Sequence, residues 1–336
     1  MSKWLDADEA GAAQRAARHA ALHLRARLNA LFREFLTARG VLEVETPVLS
    51  RAGNTDPNIR SFVLEFTGPV HGGPRRRWLR TSPEFALKRL LAEGLGDCYE
   101  LGRVFRDGEA GGRHNPEFTM LEWYRLGWDH ARLAEETVLL VCEALALVGR
   151  APVSVRMLDF ATLYREAFGF DPHSAPTDAL RAPLADIAID PEGLVRDDWF
   201  DLLMTHRLQP AFAIDAITVV YDWPATQCAL ARIRPEGSGD APSVAERFEL
   251  YLGPLEIANG YHELTDAIEQ RRRFERDHSL RAARGETLPS IDEALLSALP
   301  ALPDCAGVAL GVDRLLMGLL QTPRIADVLA YDFATA

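Results

Sequence analysis

Residues 98–128 constrain this chain most. CYELGRVF (98–105) and EFTMLEWYRLGW (117–128) each read as a strand, and between them RDGEAGGRH (106–114) forms a charged, Gly-rich loop. Two strands so joined make an antiparallel hairpin, and a hairpin is stable only with more strands or a helical cover. The rest of the chain supplies both. Residues 8–39 place Leu22, Leu24, Leu28, Leu31, Phe32, Phe35 and Leu36 at helical spacing and stop at Gly40. VLEVET (41–46) alternates apolar and acidic and ends at Pro47, which predicts a half-wet strand. Further strands are predicted at 61–66, 78–81, 216–221, 227–232, 244–261 and 307–312. Helices are predicted at 83–92, with Ser82 as N-cap, at 131–148, at 266–284 and from Asp313 onward. Residues 150–215, patchy and interrupted by Pro, are expected to be a small helical insertion in a single domain spanning 1–336. Runs of strands with helices between and around them predict an α+β fold, an antiparallel sheet flanked by helices.

Composition narrows the function. With 48% hydrophobic and 26% charged residues, the chain is globular rather than disordered. Its longest apolar run, 137–148, is 12 residues and contains Glu143, too short for a membrane span. The first residues, MSKWLDADEAGAAQR, place acids where a signal peptide needs apolar side chains, so a cytoplasmic protein is expected. A net charge of −12 argues against a surface built mainly to hold nucleic acid. The four cysteines, Cys98, Cys142, Cys228 and Cys305, form no CxxC pair, which speaks against a zinc knuckle or a redox dithiol. No GxGxxG follows a strand and no GxxxxGK[ST] occurs, so the common dinucleotide and P-loop fingerprints are missing.

Three clusters carry candidate chemistry. The 106–114 loop gathers Arg106, Arg113 and His114 on flexible backbone, a composition suited to polyphosphate. In FELYLGPLEIANGYHELTD (248–266), Glu249 and Glu256 would face opposite sides of one unbroken strand, but a turn at Gly253-Pro254 lets them converge as hard oxygen ligands for Mg²⁺. Asn259, Tyr261 and Glu263 alternate and so share a face; an aromatic beside a carboxylate suits an ammonium group. In GVALGVDR (307–314) a strand feeds a helix opening with Asp313 and Arg314, and Arg at a helix start is unfavourable unless an anion sits there. Each cluster alone is a weak signal, and the first two read more readily as solvated surface. Together they suit a metal–triphosphate and a cationic small molecule.

GVLEVETP (40–47), FRDGEAGGRHNPEFTMLEWY (105–124) and GVALGVDR (307–314) resemble motifs 1, 2 and 3 of class II aminoacyl-tRNA synthetases. The RHNPEFTMLE run followed by EIANGYHELTD is similar to the catalytic domain of lysyl-tRNA synthetase, from about Leu31 to the end. Motif 1 at residue 40 leaves no room for an anticodon-binding domain, so the chain is most similar to the free-standing elongation factor P–lysine ligase family. The resemblance implies the class II catalytic fold and ATP-dependent activation of lysine or (R)-β-lysine as an adenylate, with Mg²⁺. Transfer to a lysine of elongation factor P would follow, in a homodimer whose contact includes the 41–47 strand. It implies that Arg106 and Arg314 are catalytic, and that Asp107, Gly108, Arg113, His114, Asn115, Phe118, Glu256, Ile257 and Gly311 join them around ATP. Phe118 would stack on adenine, and Arg113 and Arg314 would grip the outer phosphates. Glu249 and Glu256 would hold the metal. Ser82, Pro83 and Glu84 would meet the substrate's amino end, while Glu122, Tyr124, Asn259, Tyr261 and Glu263 would surround its side-chain ammonium. Ala309 stands where lysyl-tRNA synthetases carry Gly, an extra methyl that would reshape the pocket. The family's FRNE is replaced by Phe105-Arg106-Asp107-Gly108, with Glu109 one place later, so Glu109 or backbone would take the adenine contact. Two alternatives are a minimal lysyl-tRNA synthetase that charges tRNA and a non-catalytic amino-acid-binding regulator; the acidic balance leaves no tRNA expected. For the partner's docking surface, the 150–215 insertion and the 67–77 turn with Arg75-Arg76-Arg77 are candidates.

Overall fold

The computed structural model describes residues 2–70, 73–235 and 242–336, with side chains from residue 14 onward. A helix at Ser2–Thr37 leads into β1 (Leu42–Glu43). Strands β2 (Leu49–Ser50), β3 (Val63–Glu65) and β4 (Arg76–Leu79) form a small sheet in the order β2-β4-β3. After a helix at Glu84–Ala92 come β5 (Cys98–Phe105) and β6 (Glu117–Leu126), then the helix His130–Ala146. Strands β7 (Val155–Asp159), β8 (Ile217–Pro224), β9 (Ile233–Arg234), β10 (Val244–Leu252), β11 (Leu255–His262) and β12 (Cys305–Gly311) complete the set. The main sheet runs β1-β5-β6-β12-β11-β10-β8-β7, with β9 beside β10. Its centre is antiparallel as expected; only the outer pairs β1–β5 and β7–β8 are parallel.

Several elements depart from the sequence reading. The 41–46 strand shrinks to two residues because Pro47 offers no N–H and the Thr46 amide is taken by the Glu100 carboxylate, 3.1 Å away. The 227–232 segment is mostly a turn, its chain touching the end of β11 at Ala231 and Arg232 and forming a strand only at Ile233–Arg234. The long 244–261 strand is a hairpin, β10 and β11, bent at Gly253-Pro254. The 150–215 insertion supplies the edge strand β7 as well as helices at Phe160–Phe168, Thr177–Arg181 and Arg196–Leu203. Around Arg75–Arg77 the chain enters β4, the central strand of the small sheet, and finds local partners: Arg76 pairs with Glu65 at 3.3 Å, and Arg75 donates to the Phe66 and Gly68 carbonyls. Residues 71 and 72 of that turn lie outside the described residues.

The two-residue period of a strand sorts the sheet into two faces. Leu121 and Trp123 of β6, Val308 and Leu310 of β12, and Phe248 and Leu250 of β10 point to one side. There they pack with Leu28, Phe32 and Leu36 of the first helix and with Leu133 and Val141 of His130–Ala146, the largest core. A second core, around Phe160, Tyr164, Phe200 and Trp223, docks the insertion on the β8–β10 end. The middle of the other face is left open as a cleft.

Candidate active site

The open face is shaped by one strand of small residues. β12 presents Gly307, Ala309 and Gly311, opposite Tyr124, Glu122 and Met120 of β6 on one side. On its other side Gly307 and Ala309 lie opposite Tyr261 and Asn259 of β11. A floor of small residues between two walls of large ones makes a trough. Gly307 is required there, because a Cβ would collide with the Tyr124 ring and sit 2.6 Å from Glu263 Oε1. The trough opens into a cleft that β6, β11, β12 and the 106–114 loop line together.

Asn259 and Glu256 have opposite parity on β11, yet both line the cleft. The reason is a register shift between Leu250 and Tyr251: Leu250 lies opposite Ala258, but Tyr251 lies opposite Glu256, so Ile257 is the extra residue of a bulge. The bulge turns Glu256 onto the face of Asn259 and Tyr261.

One end of the cleft is cationic. Arg106 lies 5.1 Å over the Phe118 ring and 3.8 Å from Glu109, and its buried Nε has no partner among the described residues. Arg314 donates to His114 Nε2 at 2.6 Å and lies 3.5 Å from Glu256 Oε2. Burial, then the Arg314 charge, lowers the His114 pKa, which keeps the ring neutral and able to accept. Arg113 and Asn115 complete the rim. The Asn115 amide donates to the Glu117 carbonyl at 2.6 Å and accepts from the Phe333 amide at 2.9 Å, tying the loop to the C-terminal segment. Asp313, 1% exposed, accepts from the Thr119 amide at 2.7 Å and pairs with Arg25. It anchors the helix start and leaves Arg314 to face the cleft.

The other end is anionic and dry. Glu122, Tyr124 and Glu263 are almost completely buried. Tyr124 donates to Glu122 Oε1 at 2.8 Å, while Glu122 Oε2 and Asn259 Oδ1 are buried acceptors with no partner among the described residues. Burial and then the Glu84 charge push the Glu122 pKa up to about 8; burial likewise raises Glu263 to about 8, against the pull of Lys88. Lys88, which sequence reasoning passed over, lies between Glu84 Oε1 at 2.6 Å and Glu263 Oε2 at 2.5 Å. Unfilled buried acceptors and carboxylates whose ionisation is held back form a receptor for ammonium groups.

Of the residues singled out from sequence, most line this cleft: Ser82, Glu84, Arg106, Arg113, His114, Asn115, Phe118, Glu122, Tyr124, Glu256, Ile257, Asn259, Tyr261, Glu263, Ala309, Gly311 and Arg314. Four do not. Pro83 opens the helix behind Ser82, whose hydroxyl accepts from the Glu84 amide at 3.0 Å. Asp107 faces away, its amide bonded to the Arg60 carbonyl at 2.8 Å, and Gly108 turns the loop at φ +83°. That turn places Glu109 among the residues that line the cleft. Glu249 shares the face of Asn259 but is covered: Arg247 and Tyr251 both donate to it, and burial raises its pKa to about 7. The cleft also uses Asn54, Ile59, Thr81 and Met120, which no sequence pattern marks. They come from loops and strand positions brought in by tertiary packing.

The profile of the family described as tRNA synthetases class II (D, K and N) matches residues 11–334. The chain is similar to an elongation factor P--(R)-beta-lysine ligase of Mannheimia succiniciproducens, 45% identical over 313 residues, covering 92% of this chain and 94% of that protein. A protein of the same name from Klebsiella pneumoniae (strain 342) is 45% identical over 313 residues, 91% of this chain and 93% of its own. One from Pectobacterium atrosepticum is 44% identical over 318 residues, 93% and 94%.

Proposed function

This chain belongs to the class II tRNA synthetase (D, K and N) family, and on that premise we propose that it activates lysine or (R)-β-lysine with ATP and transfers it to a lysine side chain of elongation factor P. One observation carries the reading: a single cleft joins the Arg106–Arg113–Arg314 end to the Glu84–Glu122–Glu263 end. The first suits a triphosphate and the second an amino acid with ammonium groups. The names of the relatives supply the acceptor protein and the isomer.

The chemistry asks the chain to position and neutralise rather than to bond. A substrate carboxylate attacks the α-phosphorus, pyrophosphate leaves, and negative charge gathers on the phosphoryl oxygens. Arg106, with its unpartnered Nε, and Arg314, braced by His114 and Glu256, are placed to hold that charge. Phe118 offers a ring face for adenine, with Glu109 nearby for a polar contact. Mg²⁺ would supply charge neutralisation on the phosphates. Glu256, partly exposed beside Arg314, fits as its ligand; Glu249 fits only by giving up Arg247 and Tyr251. Glu122, Asn259 and Glu263 would seat the substrate's ammonium groups, Tyr124 fixing Glu122. In the transfer step the acceptor amine attacks the adenylate carbonyl and AMP leaves, its proton passing to the leaving phosphate or to water.

A homodimer is also proposed. Leu42 in β1, at the edge of the main sheet, and Leu49, Val63 and Phe66 in and beside β2 and β3 are all large and exposed, apolar surface of the kind that a second copy covers.

The test of the function is label transfer. Purified protein, Mg-ATP and labelled lysine or β-lysine are incubated with purified elongation factor P or with bulk tRNA. Ribonuclease-resistant label on elongation factor P is the expected result. Label found only on tRNA would make the chain a small tRNA synthetase, and label on neither would refute ligase activity.

A further inference from the structure

Lys88 places a cation in the middle of the anionic end of the cleft. It stands one helical turn after Glu84 in the Glu84–Ala92 helix, the i,i+4 spacing that lets the two side chains meet. Its ammonium reaches across to Glu263 on β11, so one residue links helix and sheet. It is 2% exposed, and it is the only lysine among the side chains the structure describes. Thirty-five of the chain's 37 basic residues are Arg, so Lys at this position is not a matter of the chain's habit. Arg would be too long and too forked for the gap between two carboxylates 2.6 and 2.5 Å from one nitrogen.

Three carboxylates, Glu84, Glu122 and Glu263, meet here with one built-in ammonium. We propose that Lys88 is a specificity-determining positioning residue that sets the pocket's spare charge at two, so that it is neutralised by one ligand carrying two ammonium groups and by no singly charged amino acid. The inference rests on the diamino-acid reading above and names what enforces it. With all three carboxylates ionised around a bound dication, a pocket without Lys88 would keep one negative charge uncompensated. With it, Glu84 and Glu263 are pulled toward one nitrogen while Glu122 Oε2 and Asn259 Oδ1 remain unpartnered. Uncompensated charge in a dry site is costly, so a ligand that leaves one carboxylate unmatched is rejected strongly.

The surroundings support this count. From β5, Cys98 approaches, its thiol raised to about 12 by burial first, and Glu100 is neutralised by Arg80 at 2.6 Å. From β6 come Tyr124, raised by burial, and Glu122; from β11 come His262 and Tyr261, and from β12 Cys305, raised by burial. Behind Tyr261 sit Arg247 and Glu249, which pair with each other. Burial works against a charge on Lys88, yet Glu263 and Glu84 outweigh it and raise its pKa, so Lys88 stays an ammonium. Among the described residues no Lys or Arg other than Lys88 pairs with the three carboxylates, and His262, whose charge also acts on Glu263, is already paired with Glu246 and Asp304.

The experiment is a charge cycle read by amino-acid-dependent ATP–pyrophosphate exchange. Lysine is compared with norleucine, which has the same chain and one ammonium fewer. Lys88→Met should lower kcat/KM for lysine by at least about tenfold, because it leaves a carboxylate unmatched. Glu84→Gln in that background restores the charge count and should recover much of the loss, with the lysine-to-norleucine ratio within about tenfold of wild type. A residue that merely fills space would give additive losses and no recovery. If Lys88→Met alone does not fold, the ratio in the double variant still decides: retained, it supports the charge count; collapsed toward one, it overturns it. A wild type that forms no adenylate with any diamino acid would remove the functional reading itself and this inference with it.

Discussion

Two charged side chains, one at each end of this cleft, each suggest a substitution. Glu263 is 1% exposed, pairs with Lys88 and faces the trough. Replacing it by Gln takes away the charge an ammonium needs, and removing one member of a buried charge pair costs about 2–5 kcal/mol. Glu263→Gln is therefore expected to lower lysine-dependent exchange about a hundredfold or more, with ATP affinity nearly unchanged, because Arg106, Phe118 and Arg314 lie at the other end. Equal loss of both in calorimetry and exchange assays would show that the ammonium pocket is misassigned. Arg314→Ala makes the converse prediction. It deletes a cation aimed at developing phosphate charge, an effect of about 10²–10³ in kcat, while the binding of lysine alone is retained. Much of this site was legible in the residues themselves: Arg106, Arg314, Glu122 and Glu263, picked out by the motifs, all line the cleft. Lys88 was not, because a lone Lys in a helical run looks like any solvated residue until its helix is docked on the sheet.

At the scale of elements, the β6–β12–β11 trio decides the shape of the site. Gly307→Ala adds one methyl where Tyr124 and Glu263 already meet. The flanking strands are core-packed on their other face and cannot retreat, so overpacking of about 1–3 kcal/mol is expected. The measurable outcome is a large rise in KM for the amino acid, with a modest fall in melting temperature and unchanged KM for ATP. A variant with wild-type KM would show that β12 is not the floor of the substrate pocket. The β10–β11 bulge belongs to the same scale. Strand parity read from sequence splits Glu256 from Asn259, and a turn at Gly253-Pro254 does not by itself reunite them. The extra residue, Ile257, does, and it is set by how each strand packs on the core rather than by any residue that announces a bulge.

The whole molecule carries a pH-sensitive tie on the far side of the sheet. His262 Nδ1 lies 2.6 Å from Glu246 and its Nε2 lies 3.0 Å from Asp304, which joins β11, β10 and the start of β12. Burial opposes a charged ring, but the bonds to Glu246 and Asp304 prevail and raise the pKa above its ordinary value of about 6.5. A group with a raised folded pKa adds stability that is full below its unfolded pKa and is lost as pH rises through the folded one. The stability difference between wild type and His262→Gln, from urea unfolding, should therefore be larger near pH 6 than near pH 9. A difference that is flat or grows with pH would remove the imidazolium from the account. Assembly is the other property of this scale. Sedimentation should show a dimer, and Leu42→Asp should shift it toward monomer; a wild type monomeric at micromolar concentration would leave the exposed β1–β3 patch without the proposed partner.

Sequence alone determined the α+β class, the long first helix, the β5–β6 hairpin and the chemistry of both ends of the cleft. Those rest on local signals: the two-residue and 3.6-residue periods, and motif residues a few positions apart. Tertiary structure alone decided which carboxylates face one another, that Glu249 is covered while Glu256 is open, and that Lys88 sits between Glu84 and Glu263. It also decided that Asp107 turns out and Glu109 turns in. The reason is physical: these outcomes depend on strand register and on helix docking, set by burial summed over the whole core. No single stretch of chain carries that sum.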